Sequence, residues 1–177
     1  MKELLITGAW RCGEQQVQAL EQMGYAVTFW PDERQAVNMD TQRFEAVICG
    51  GLFLTTPIER FPALKCIQVT SAGLDRVPLD YCKAHGITVY NAGGVYSAPM
   101  AEFVLGGILQ LYKESKFFAE NQAAHRWEKH RGLRELSGKT ACIVGTGSVG
   151  SAIARRLRAF DCLLYTSPSP RDRSVSR

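Results

Sequence analysis

Three glycines, Gly145, Gly147 and Gly150, stand at G-x-G-x-x-G spacing directly after the apolar run Cys142-Ile143-Val144. The chemistry open to such a turn is the holding of a diphosphate. The first glycine lets the chain reverse after a strand, the second lets backbone approach a pyrophosphate, and the third lets a helix pack tightly on the strand. Main-chain N–H groups along Gly145-Thr146-Gly147-Ser148-Val149-Gly150 and the positive end of the helix dipole then face the phosphates. The spacing alone is weakly specific, and a plain glycine-rich turn is the alternative. The helical period of Ile153, Ala154 and Leu157 behind an apolar strand favours the dinucleotide reading.

A second candidate is Ser71-Ala72-Gly73, where small residues after a strand can present consecutive N–H groups as a nest for a carboxylate. A simple tight turn explains the same residues equally well, and Asp75 reads as a turn or cap residue. The histidines, His85, His125 and His130, each have a structural explanation. His85 falls in a helix C-terminal turn, where a cation is favoured, while His125 and His130 flank Trp127 on a charged, solvated helical face. Spacing assembles no Ser-His-Asp or Cys-His set and no carboxylate pair, so no catalytic residue is assigned.

The elements that must position these loops alternate strand and helix. Strands are expected at Leu4-Leu5-Ile6, Tyr25 to Phe29, Ala46 to Cys49, Cys66 to Val69 and Ile87 to Tyr90. Helices are expected around Val17 to Met23, at Glu33 to Val37, at Ile58 to Leu64 and from Pro78 to His85. The pattern predicts an α/β, doubly wound parallel sheet with helices on both faces, flavodoxin-like, over residues 1 to about 95. From Ser97 a long helix runs through Phe117-Phe118, a second helical piece carries Asn121 to Trp127, and Leu136-Ser137-Gly138-Lys139-Thr140 opens the strand of the glycine motif.

Composition narrows the class. The chain has 177 residues, 46% of them hydrophobic, with no run long enough to span a membrane and no secretory leader pattern. Six widely spaced cysteines without a C-x-x-C pair read as reduced thiols of a cytoplasmic protein, with no metal site. The final stretch, residues 162–177, resembles the in-frame translation of a sequencing adapter and is set aside as a non-native tail. Without its three arginines and one aspartate the formal charge falls from +4 to +2, and no basic stripe remains to suggest nucleic acid.

Several of these segments together resemble one family. Ser71-Ala72-Gly73-Leu74-Asp75, Asn91 with Gly94, Met100-Ala101-Glu102, and Leu136 to Thr140 running into Gly145 to Gly150 follow the order and spacing of the D-isomer-specific 2-hydroxyacid dehydrogenases, the group containing phosphoglycerate dehydrogenase. The resemblance covers residues 1 to 161. It implies a substrate domain over residues 1–97, followed over residues 98–161 by dimerisation helices and the start of a Rossmann NAD-binding domain. It implies a homodimeric, cytoplasmic, NAD-dependent oxidoreductase acting on a small 2-hydroxy or 2-keto acid, with neither nucleic-acid nor membrane partners.

Ser71, Ala72 and Gly73 would hold the substrate carboxylate through their N–H groups, and Gly145, Thr146, Gly147, Ser148, Val149 and Gly150 the NAD pyrophosphate, chiefly through Ser148 and Val149. Met100 would lie near the nicotinamide. The family's catalytic arginine, glutamate and histidine are expected beyond Asp161, so this chain is expected to be an inactive fragment. The acidic residue that separates NAD from NADP, about 20 positions past the glycines, is expected inside the tail. The alternative is a non-catalytic, NAD-sensing interaction protein of corepressor type.

Overall fold

Leu4, Leu5 and Ile6 are buried because a parallel sheet is covered on both faces and its inner strands must be apolar throughout. In the computed structural model, which describes residues 1–167, they form the heart of β1 (Lys2–Thr7). This strand pairs with β2 (Tyr25–Trp30) on one side and β3 (Ala46–Cys49) on the other; β4 (Cys66–Val69) and β5 (Thr88–Tyr90) follow outward. All pairings are parallel, in the order β2-β1-β3-β4-β5, the flavodoxin-like order of doubly wound proteins. The register puts Leu5, Val47, Ile67 and Val89 in one row across the sheet. That row enters a core completed by Phe44, Leu52, Ile58, Phe61 and Ile87.

Helix α1 (Glu14–Gln22) links β1 to β2 and ends at Gly24, whose φ of +89° suits a glycine stop. Helix α2 (Leu79–Ala84) links β4 to β5. Expectation and structure part between β2 and β4. No helix forms at residues 33–37. There the Asp32 carboxylate takes the Arg34 amide and guanidinium in a local turn, and Glu33 is engaged by another segment. The helix expected at Ile58 to Leu64 contracts to a 3-10 turn at Ile58–Arg60.

The chain divides into two compact units, Met1–Gly93 and the residues from Gly94 onward. The second unit contains α3 (Ser97–Tyr112), α4 (Ser115–Ala123), β6 (Thr140–Val144), α5 (Ser148–Arg158) and β7 (Leu163–Ser167). The helix expected to continue through Phe118 breaks at Glu114, which has a left-handed φ of +48°. Asn121 belongs to α4, whereas Trp127 lies past its end and is 95% exposed. With residues 162–177 set aside as a tail, no strand is expected past α5. Instead β7 pairs in parallel with β6, and Leu157 of α5 is buried with Leu105, Leu136, Ile143 and Cys162, flanked by Leu164. Among the described residues no helix is long and apolar enough to cross a membrane.

Candidate functional site

At the carboxyl end of β4 the chain turns through Ser71, Ala72 and Gly73. The carbonyls of this loop are tied down. Ser71 O accepts from the Ala92 amide at 2.9 Å, Ala72 O accepts from Asn91 Nδ2 at 2.8 Å, and Gly73 O accepts from Ser71 Oγ at 2.9 Å. Asn91 completes the clamp by accepting the Gly93 amide on Oδ1 at 3.1 Å. None of the three loop amides donates a hydrogen bond among the described residues. Immobilised carbonyls with open amides are what a carboxylate ligand requires. Residue types single out this loop and Asn91, but not that Asn91 fastens the β4 and β5 loops together.

The glycine turn joins β6 to α5, and each glycine has its own physical reason. Gly145 has a φ of +98°, which only glycine adopts without strain. Gly147 is the N-cap of α5, has no side-chain cap, and a Cβ there would meet nothing within 4 Å. At Gly150 a Cβ would lie 2.0 Å from Gly145 O and 3.4 Å from Ile143 Cγ2, so only hydrogen fits between helix and strand. The amides of Thr146, Gly147, Ser148, Val149 and Gly150 have no acceptor among the described residues; Gly145 N is engaged by Ser167 O at 2.8 Å. Ser151 Oγ donates to Thr146 O at 3.0 Å and steadies the turn. Open space in front of several free amides at the positive end of an 11-residue helix fits a diphosphate.

Met100 lies on α3 in the same unit as the glycine turn, half exposed. Helix α3 is joined to α5 by the Glu102 to Arg156 ion pair at 3.1 Å. Near the position expected for a ribose-binding carboxylate, β7 carries Leu163 to Ser167 without an acidic residue, and residues 168–177, which hold the rest of that expectation and most of the presumed tail, lie outside the described residues. His85 and His130 have structural partners, whereas His125, expected on a helical face, lies past the end of α4 with a φ of +52°. His85 caps α2, stacks on Tyr81 and bonds the Tyr81 carbonyl at 2.9 Å. His130 is not on a solvated helical face as expected; it lies past α4, packed on Phe117 with Nε2 2.9 Å from the Glu114 carboxylate.

A doubly wound sheet followed by a strand, a G-x-G-x-x-G turn and a helix is an α/β arrangement found among nucleotide-binding folds. The chain belongs to the D-isomer specific 2-hydroxyacid dehydrogenase family, whose catalytic-domain pattern matches residues 5–170. Among its relatives is a glyoxylate/hydroxypyruvate reductase, HPR3, from Arabidopsis thaliana. The two are 32% identical over 136 residues, which cover 74% of this chain and 42% of that protein. Among solved structures, D-lactate dehydrogenase from Aquifex aeolicus, complexed with NAD and lactic acid, superposes with a TM-score of 0.72 at 22% identity, covering 96% of this chain and 56% of that one. The NADPH-dependent glyoxylate/hydroxypyruvate reductase of Sinorhizobium meliloti, in complex with citrate, gives a TM-score of 0.73 at 24% identity, covering 94% and 54%. The chain thus spans about half the length of the proteins it matches.

Proposed function

We propose that the protein carrying this chain is an NAD-dependent D-2-hydroxyacid dehydrogenase, moving a hydride between nicotinamide and a small 2-hydroxy or 2-keto acid. The observation that carries the reading is the row of amides from Thr146 to Gly150 at the mouth of α5 that find no acceptor among the described residues, in a chain of this family. Bound NAD would supply the hydride acceptor. Ser148 and Val149 N–H would hold its diphosphate, and Met100 would lie beside the nicotinamide. The amides of Ser71, Ala72 and Gly73 would orient the acid by its carboxylate, which fixes the face of the carbon that reacts. No residue here is assigned to proton transfer; the family's arginine, glutamate and histidine are expected past Asp161.

NAD is preferred over NADP by resemblance, and the NADPH-dependent relative makes both worth testing. The protein is read as cytoplasmic, a view supported by its free cysteines. It is read as a homodimer, supported by the exposed Phe103 and Leu111 of α3. The test is oxidation of NADH and of NADPH by full-length protein over a panel of 2-keto acids. Turnover with at least one acid and preference for NADH is expected; tight NADH binding without turnover of any acid would favour the corepressor-like alternative. The 177-residue chain alone is expected to oxidise no NADH.

A further inference from the structure

The Glu33 carboxylate belongs to neither of the loops described above. Its Oε1 accepts the Gly50 amide at 2.8 Å and its Oε2 the Gly51 amide at 2.6 Å, while the Thr7 hydroxyl donates to Oε1. Thr7 is fully buried at the end of β1, and Gly50 and Gly51 directly follow β3. The carboxylate therefore caps the carboxyl ends of β1 and β3. In the order β2-β1-β3-β4-β5 this is the point where the connections change direction, and it is where doubly wound sheets bind ligands.

Two successive amides and a hydroxyl converging on one carboxylate make a complete anion cradle. The backbone around Glu33 is anchored independently. Its carbonyl accepts from Thr55 Oγ1 at 2.7 Å, and Trp30 Nε1 donates to Asp32 O at 2.9 Å. A Cβ on Gly50 would lie 3.2 Å from Glu33 Oε2 and 3.2 Å from Thr70 Oγ1, so the cradle closes around the carboxylate with no room to spare.

We propose that the Gly50 and Gly51 amides with the Thr7 hydroxyl form a carboxylate-binding site that the chain fills with its own Glu33 side chain. The site takes a small monocarboxylate, of formate or acetate size, once that side chain is removed. Filling it from within closes the switch point to acid ligands and leaves the open amides of Ser71 to Gly73 as the place for a substrate carboxylate. This last clause rests on the dehydrogenase reading; the site itself does not.

The experiment follows the glycine amides by 15N–1H NMR in the 177-residue chain and its Glu33→Ala variant during a formate titration. In Glu33→Ala the Gly50 and Gly51 resonances should shift saturably in the millimolar range and the melting temperature should rise with formate. In the wild type those two resonances should stay fixed. A folded Glu33→Ala in which they do not respond overturns the proposal, as does an equal response in the wild type. Should Glu33→Ala not fold, hydrogen exchange on the wild type decides. Gly50 and Gly51 should exchange at least about tenfold more slowly than Ala72 and Gly73, and equal rates overturn the proposal. Formate shifts at Ala72 and Gly73, read in the same spectra, bear on the substrate loop alone and separate its failure from that of the Glu33 site.

Discussion

Two glycines of one turn should fail in opposite ways. Gly147 has an ordinary φ of −65° and open space before it. Gly147→Ala should therefore leave the melting temperature within about 2 °C of wild type, since no strain or clash is introduced. It should weaken NADH binding by about tenfold or more, read by fluorescence titration of full-length protein, because its methyl would enter the space proposed for the diphosphate. Gly150→Ala forces a methyl to 2.0 Å from a carbonyl and should cost about 3 kcal/mol or more by pushing α5 off β6. A second residue-scale prediction concerns thiols. Burial, with the Glu33 charge adding to it, pushes the Cys49 thiol up to about 12 from an ordinary 9.0, and burial raises Cys66 and Cys82 as well. A thiol raised on folding stabilises fully below its unfolded pKa and loses that contribution as pH climbs through the folded value. Urea-unfolding stability should therefore decline between about pH 9 and 12, and Cys49→Ala should flatten that decline. The glycines and the Ser71 loop were legible in sequence because their reasons are local. Glu33 was not, since its acceptor role depends on Thr7, Gly50 and Gly51, 17 to 26 residues away along the chain.

At the scale of elements, the parallel sheet was readable because buried strands are short apolar runs, and all five expected strands of the first unit are present. What failed was length and cover. The helix expected to run from Ser97 through Phe118 instead turns at Lys113 and Glu114, where Lys113 Nζ donates to Arg134 O and the Glu114 carboxylate meets His130, contacts that residue patterns do not record. Likewise Ile153, Ala154 and Leu157 announced an apolar face on α5, but not that Leu105, Ile143 and Cys162 would cover it. Leu157 is 2% exposed, so Leu157→Ala should cost about 2–5 kcal/mol, measured by thermal or urea unfolding of this chain. The paired loops at the ends of β4 and β5 give a functional counterpart. Asn91→Ala removes the bonds to Ala72 O and from Gly93 N, each worth about 1 kcal/mol. With the 71–73 amides less well held, full-length enzyme should show a 2-keto acid KM raised about tenfold with a smaller change in kcat. Equal falls in kcat and kcat/KM, with KM unchanged, would place Asn91 in transition-state stabilisation instead.

For the molecule as a whole, the two units differ in how far each satisfies itself. Residues 1–93 hold five parallel strands with Phe44, Leu5, Leu52 and Ile67 fully buried, enough chain and core for a domain that folds alone. From Gly94 onward the described sheet has only two strands. A two-stranded sheet is marginal without further cover, and Val144, Leu163 and Tyr165 on these strands are 68%, 66% and 64% exposed, an open apolar surface that favours association. Expressed separately, residues 1–93 should stay monomeric by size-exclusion chromatography and melt cooperatively by circular dichroism, whereas residues 94–177 should aggregate or give no cooperative transition. Limited proteolysis of the intact chain should cut first near the junction, where Gly94 has a φ of +86° and Val95 and Tyr96 are exposed. If residues 1–93 instead failed to fold, its row of Leu5, Val47, Ile67 and Val89 would have to depend on the second unit, and the division of labour proposed for the two sets of amides would need one cooperative body rather than two.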